Sequence, residues 1–327
     1  MRKSIFAQQI RKCCDMDAVC IIGGLVFLIF GGDWLLKSAV GFSLFLKIPK
    51  IVIGMTIVSF ATSAPELIVS LKSAMQGHAD LAVGNVLGSN IANLGLVLGV
   101  TVLLSTIHVE KSFYRTDWPV MMLSAVLLYV FLIFDGVLQS YEGALLFFLL
   151  LLFLVYLLKF QKAASPEDIP EEEAAVPLYK NAFYLIVGSF ALWGGSELLI
   201  FGAVHTASYY GVSERIIGVT VVSIGTSIPE LSASLIAILK REKAISLGNL
   251  IGSNVFNILA VLGLTSLVSP IKVTDQALLQ SDVYWMLAIS FAVLPLTFLF
   301  DKMKLGKLEG FVLLVSYLFF ISQVAIQ

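Results

Sequence analysis

Residues 59–70 read SFATSAPELIVS, and residues 223–234 read SIGTSIPELSAS. Each stretch sets one carboxylate directly behind a proline, among hydroxyls, in a run otherwise apolar enough to cross a membrane. At helical spacing Ser59, Thr62, Ser63, Glu66 and Ser70 fall at i, i+3, i+4, i+7 and i+11, which places them on one face. Ser223, Thr226, Ser227, Glu230 and Ser234 repeat the set. A second polar stripe follows each copy at i, i+4 and i+8: Asn85, Ser89 and Asn93, then Asn249, Ser253 and Asn257. Every one of these side chains bears oxygen; none is basic, thiol or imidazole.

Proline adds further oxygens. Pro65 and Pro229 lack an N–H and clash with the carbonyl four residues back, at Ala61 and Gly225. Carbonyls near such a break lose their helical partners, which a membrane tolerates only inside protein or beside a wet cavity. Carboxylates, hydroxyls, amide oxygens and loosened carbonyls together suit a hard cation. Calcium takes about 6–8 oxygens at about 2.3–2.6 Å. Two glutamates would cancel its charge, and sodium would use the same oxygens without needing both. A charged residue at mid-helix costs on the order of 3 kcal/mol. Two in matching places, Glu66 and Glu230, therefore mark a functional site.

The remaining polar letters have plainer readings. A single serine or threonine in a membrane helix often bonds only backbone. Gly84 with Gly88, and Gly248 with Gly252, have the small-xxx-small spacing of closely packed helices, which would press the asparagine stripe against the glutamate stripe. Asp33 (with Lys37 one turn on), Glu197, Asp117 beside Trp118 and Asp282 near Trp285 read as interfacial anchors. His78, His108 and His205 stand apart and take no role.

Composition says what must position these groups. Of 327 residues 58% are apolar and 13% charged, against roughly 45–50% and 25% in soluble domains. Mean hydropathy is +0.95. So much apolar surface requires lipid as solvent. A bilayer core of about 30 Å needs about 20 apolar residues per helix, and such windows fall at 17–38, 51–74, 81–105, 117–134, 141–160, 179–204, 216–239, 245–268, 282–300 and 306–325. Unbroken runs such as GALLFFLLLLFLVYLL favour helices over alternating barrel strands. The expected fold is an all-α integral membrane protein of ten transmembrane helices. A net charge of −1 without a basic patch gives no sign of nucleic acid, and Cys13, Cys14 and Cys20 suit neither a disulfide framework nor zinc.

The chain repeats itself at an offset of 164: residues 54–99 match 218–263 at 20 of 46 positions without a gap. Gly24 meets Gly188 and Asp33 meets Glu197 in the same register. Five spans, an odd number, separate equivalent points, so the second five-helix copy enters the membrane inverted, with the site expected near the midplane between copies. Three units follow: a first half at 1–160, an acidic cytoplasmic linker at 161–178 and a second half at 179–327. Loop charge agrees. QGHAD (76–80) carries no Lys or Arg, whereas its counterpart KREKA (240–244) carries three, and positive residues favour the cytoplasm. Lys47, Lys50, Lys111, Arg115, Lys159, Lys162, Lys302, Lys304 and Lys307 fall on the KREKA side. Both termini are then expected outside the cytoplasm, in an inner-membrane, multi-pass protein. Arg2, Lys3, Arg11 and Lys12 disagree with that sidedness, and residues 1–15 are read as an extension or misplaced start.

GMTIVSFATSAPELIVS (54–70) with GNVLGSNIANLGLVLG (84–99), and GVTVVSIGTSIPELSAS (218–234) with GNLIGSNVFNILAVLG (248–263), resemble the two alpha repeats of the calcium/cation antiporter superfamily, and most of all the prokaryotic sodium/calcium exchangers. The resemblance covers nearly the whole chain. It implies ten helices in two inverted halves and four clustered ion sites. Glu66 and Glu230 would be the central calcium ligands, helped by backbone carbonyls of Thr62 and Thr226. Ser63, Ser89, Asn93, Ser227 and Ser253 would contribute oxygens to flanking sodium sites. The first helix of each half, around Asp33 and Glu197, would slide to alternate access. Asn257 departs from relatives that carry aspartate there. Only two carboxylates remain, which weakens the case for potassium co-transport and slightly that for proton exchange.

The expected activity is sodium/calcium antiport without a cofactor, with calcium, sodium and the bilayer as partners and a monomeric unit. A proton/cation exchanger using the same glutamates is the first alternative. A passive channel is the second, disfavoured because inverted repeats favour carriers. A membrane-embedded enzyme is weaker: no H-E-x-x-H occurs, and no histidine lies near the marked serines.

Overall fold

The computed structural model describes residues 2–160, 177–209, 225, 227–299 and 303–326; the side chains of 2–16, 207–209 and 325–326 lie outside the description. Apolar runs fold into helices joined by short turns. In chain order these are α1 (Arg2–Leu46), α2 (Lys50–Thr62), α3 (Ala64–Met75), α4 (Ala79–Leu104), α5 (Phe113–Asp135) and α6 (Ser140–Phe160), then α7 (Leu178–Tyr209), α8 (Ile228–Leu239), α9 (Lys243–Val268), α10 (Leu278–Leu299) and α11 (Lys307–Ile326). Among the described residues, eight helices are long and apolar enough to cross a membrane, or nine if the α2/α3 pair, bent by 44°, is one broken span. The span expected at 216–239 is represented by α8, and its first part lies outside the described residues.

The centre belongs to α4 and α9. In their most apolar windows 78% and 83% of residues are buried, against 28% for α6, so these two are walled by protein while α6 meets lipid. α2 crosses α9, α6 packs on the last part of α9, α11 packs on the last part of α4, and α1 lies along α7. Contacts recur in pairs at the repeat offset. A Cβ on Gly24 would meet the Gly195 carbonyl oxygen at 2.7 Å, and one on Gly188 would meet that of Gly31 at 2.9 Å. Asn85 Nδ2 donates to Ser70 Oγ (3.0 Å), and Asn249 Nδ2 donates to Ser234 Oγ (3.4 Å). Asn90 and Asn254 exchange amide-to-carbonyl hydrogen bonds of 3.3 and 3.2 Å.

Two short ladders close the ends. β1 (Ile107–His108) pairs antiparallel with β4 (Lys304–Leu305), and β2 (Val137–Leu138) with β3 (Ile271–Lys272). At the first end Lys50 Nζ lies 2.8 Å from Glu242 Oε1, and Lys243 Nζ donates to the Thr106 carbonyl at 2.8 Å. The Lys47–Lys50, 105–111, 240–244 and 303–307 segments thus share one end. At the other, Asp80 accepts from the Thr274 N–H (2.7 Å), the Thr274 hydroxyl (2.5 Å) and the Asp275 N–H. The lysine-poor 76–80 loop sits there.

Candidate functional site

Both marked carboxylates lie at breaks. Ser63 interrupts α2/α3 at φ −86°, ψ 1°, and Ser227 precedes α8 at φ −94°, ψ 6°. Pro65 and Pro229 stand in the first turn of the helices that follow, where a missing N–H costs nothing. Glu66 and Glu230 therefore sit in first turns, toward the positive end of the helix dipole. Opposite them, α4 and α9 each widen into a π-type turn that begins on the last asparagine of the stripe, at Asn93–Leu98 and Asn257–Leu262. Such widened turns often mark functional positions.

The expected residues converge. Glu66, Glu230, Thr62, Ser63, Ser89, Asn93, Ser227, Ser253 and Asn257 are all buried. Ser89 Oγ donates to Glu66 Oε1 at 3.4 Å and accepts from Ser227 Oγ at 3.2 Å. Asn257 Nδ2 donates to Ser89 Oγ (3.2 Å) and Asn90 Oδ1 (3.0 Å). Thr62 Oγ1 donates to Asn249 Oδ1 at 3.1 Å and shares a hydrogen bond of 3.3 Å with Ser253 Oγ. Asn93 Nδ2 donates to Asn254 Oδ1 at 3.1 Å. Glu66 stands within electrostatic reach of Glu230, which also faces the hydroxyls of Thr62 and Ser63 without completing a well-formed hydrogen bond to either. The side chain of Thr226 lies outside the described residues.

What is left over matters most. Among the buried atoms without a hydrogen-bond partner are Ser63 Oγ, Glu66 Oε2, Asn93 Oδ1, Asn257 Oδ1 and both carboxylate oxygens of Glu230. The amide nitrogens point at other amides and hydroxyls, and the oxygens are turned inward with nothing to accept from. Buried acceptors are ordinarily satisfied, so a cluster of free ones has the chemistry that a bound cation would complete. Among the described residues no group of three or more His, Cys, Asp or Glu is placed to hold a metal; the cluster consists of two carboxylates and neutral oxygens.

Three plainer readings change. Asp33 does pair with Lys37 (2.9 Å), but it also pairs with Lys240, which ties α1 to the end of α8. His205 Nδ1 lies 2.7 Å from Asp17 Oδ2, joining the outer parts of α7 and α1. Asp117 is fully buried and Trp118 Nε1 donates to the Ser290 carbonyl at 2.8 Å, so this pair faces protein rather than the interface. Asn90 and Asn254 are additions to the site's frame. They stand off the i, i+4, i+8 stripe, and their repetition at offset 164 was the available signal.

The family model described as "Sodium/calcium exchanger protein" matches residues 16–159 and 180–324. CaxA of Alkalimonas amylolytica is 41% identical, over 92% of this chain and 96% of its own. The sodium/calcium exchanger MaX1 of Methanosarcina acetivorans is 32% identical, over 94% and 97%. Among solved structures, the sodium-calcium exchanger NCX_Mj soaked with sodium and strontium superposes with a TM-score of 0.81 at 28% identity, covering 94% of this chain and 99% of that one.

Proposed function

The chain belongs to the sodium/calcium exchanger protein family, and from that premise we propose that it exchanges sodium for calcium by alternating access, both ions competing for Glu66 and Glu230. The observation that carries this reading is the cluster of unpartnered acceptor oxygens around two fully buried carboxylates. Calcium engages both carboxylates with Thr62, Thr226 and the neighbouring amide oxygens. Sodium ions occupy the same carboxylates together with Ser63, Ser89, Asn93, Ser227, Ser253 and Asn257. Because a divalent ion needs both charges, sodium that occupies either one displaces it.

The architecture that suits this is ten spans in two inverted halves. Contacts that recur at the repeat offset support the two-fold relation, and the two chemically different ends support the inversion. Lys47, Lys50, Lys111, Arg115, Lys240, Arg241, Lys243, Lys304 and Lys307 belong to one end and Lys72 and Lys272 to the other, so the first end is cytoplasmic by the positive-inside rule. Single cysteines test it: Arg241→Cys is expected to label only from the cytoplasm and Gln76→Cys only from outside. The reverse pattern overturns the orientation.

Proteoliposomes with an imposed sodium gradient test the activity. Isotopic calcium uptake is expected to follow the sodium gradient and to collapse when that gradient is dissipated. Uptake indifferent to sodium but driven by a pH jump would assign the glutamates to proton exchange, and unitary currents would assign them to a channel.

A further inference from the structure

A primary amide is almost symmetric in shape, but its two ends differ in charge: the oxygen draws a cation and the N–H donors repel it. The candidate site therefore depends on which way the amides of Asn93 and Asn257 face. A second pair of asparagines decides it. Asn90 and Asn254 are buried where α4 meets α9, in equivalent positions of the two halves at the repeat offset of 164. Asn90 Nδ2 donates to the Asn254 backbone carbonyl at 3.3 Å, and Asn254 Nδ2 donates to the Asn90 carbonyl at 3.2 Å. A carbonyl oxygen can only accept, so each bond holds the nitrogen end of one amide against the opposite helix. Asn90 Nδ2 also lies 3.8 Å from the Met286 sulfur, a further acceptor.

The oxygen ends are then committed as acceptors. Asn90 Oδ1 takes a hydrogen bond from Asn257 Nδ2 at 3.0 Å, and Asn254 Oδ1 takes one from Asn93 Nδ2 at 3.1 Å. Asn93 and Asn257 must present nitrogen to those oxygens, so their own Oδ1 atoms turn away. Both are among the buried acceptors without a partner. They belong to the same cluster as the carboxylates. Asn257 Nδ2 also reaches Ser89 Oγ (3.2 Å), which donates to Glu66 Oε1 (3.4 Å), and Asn93 follows Ser89 by one helical turn. The reversed orientation is closed off. Turning the Asn90 amide over would set two oxygens against each other at the Asn254 carbonyl and two nitrogens against each other at Asn257.

We propose that Asn90 and Asn254 are positioning residues for cation binding. Each locks the other's amide across the seam between halves, and together they hold Asn93 and Asn257 with oxygen toward the ion. The control crosses between halves, since Asn254 sets Asn93 and Asn90 sets Asn257. This role rests on the exchange reading of the site. Both residues act on the ion only through the amides they orient.

A carboxylate has no wrong end, and that supplies the test. Calcium affinity of the purified full chain is read by isothermal titration. Asn90→Leu is expected to weaken it about tenfold, the scale of one misdirected ligand. In an Asn257→Asp background the same substitution should cost nothing or even tighten binding, because Asn90 Oδ1 then faces a carboxylate oxygen instead of an amide nitrogen. Asn254→Leu with Asn93→Asp repeats the cycle in the other half. Should leucine prevent folding, alanine, which also lacks the acceptor, takes its place. Equal losses in both backgrounds, no loss in the parent, or failure of both substitutions to fold would assign that asparagine to packing and overturn its role. A parent that binds no calcium sinks the exchange reading together with this one. Normal parent binding with equal losses in both backgrounds sinks only this one.

Discussion

Glu66→Gln and Glu230→Gln are each expected to give a folded protein whose calcium transport is lowered by about 100-fold or more. Glutamine keeps the shape of the side chain and its acceptor oxygen but removes the charge. At an effective dielectric near 20, two unit charges about 4 Å apart interact by about 4 kcal/mol, and a divalent ion doubles the term. Desolvation offsets much of this, yet a net loss of about 3 kcal/mol already lowers affinity about 100-fold. Sodium loses only the single-charge term, so its affinity should fall less than that of calcium. The ion-free protein should not suffer, because the substitution removes a buried charge facing a like charge. The checks are calcium flux in proteoliposomes and thermal unfolding with and without calcium. The calcium-dependent stabilisation expected of the parent should disappear in both variants. Near-normal calcium flux in either variant sinks the shared-site reading.

The sequence made the candidate site legible because membrane burial makes polar letters expensive, and expense repeated at a fixed offset points to purpose. Glu66, Ser89, Asn93 and their counterparts could be found by helical spacing alone. Pro65 likewise announced the bend that places Glu66 in a first turn. Less legible was anything decided by distance across the fold. Lys240 is 207 residues from Asp33, and no periodicity links them. Asp17 and His205 meet only because α1 and α7 run together. Asp117 looked like an anchor because a carboxylate beside a tryptophan at a span boundary ordinarily is one; packing of α5 against its neighbours, invisible in one dimension, buries it. The offset itself drifts. Gly99 packs on Gly310 and Leu314, and Gly263 on Gly143 and Phe147, so the outermost helices correspond at three residues more than the central ones. Register is held tightly in the buried central helices and relaxed in the outer, more exposed ones.

Gly252→Ala and Gly248→Ala should be far more damaging than their size suggests, and the reason is again the seam between halves. A Cβ at 252 would stand 2.3 Å from Ser59 Oγ, 2.6 Å from Met55 Cα and 2.8 Å from the Met55 carbonyl oxygen. One at 248 would stand 2.4 Å from the Ile51 carbonyl oxygen. Backbone atoms cannot rotate aside, so α2 and α9 must separate. Overpacking of this kind costs about 1–3 kcal/mol. The separation also pulls on the Ser59 hydrogen bond to the Asn249 carbonyl (2.9 Å) and on the Thr62–Asn249 bond (3.1 Å), which hold the two polar stripes together. Calcium flux is therefore expected to fall about tenfold or more, with a lowered unfolding temperature. Ser59→Ala in the Gly252→Ala background should recover only part of the loss, since it removes the hydroxyl clash but not the one with Met55. Gly23→Ala is the control. No described atom lies within 4 Å of its added Cβ, and alanine is the better helix former, so stability and flux should hold or rise slightly. Equal damage at 23 and 252 would mean that glycine content, rather than the α2–α9 contact, is what the site requires.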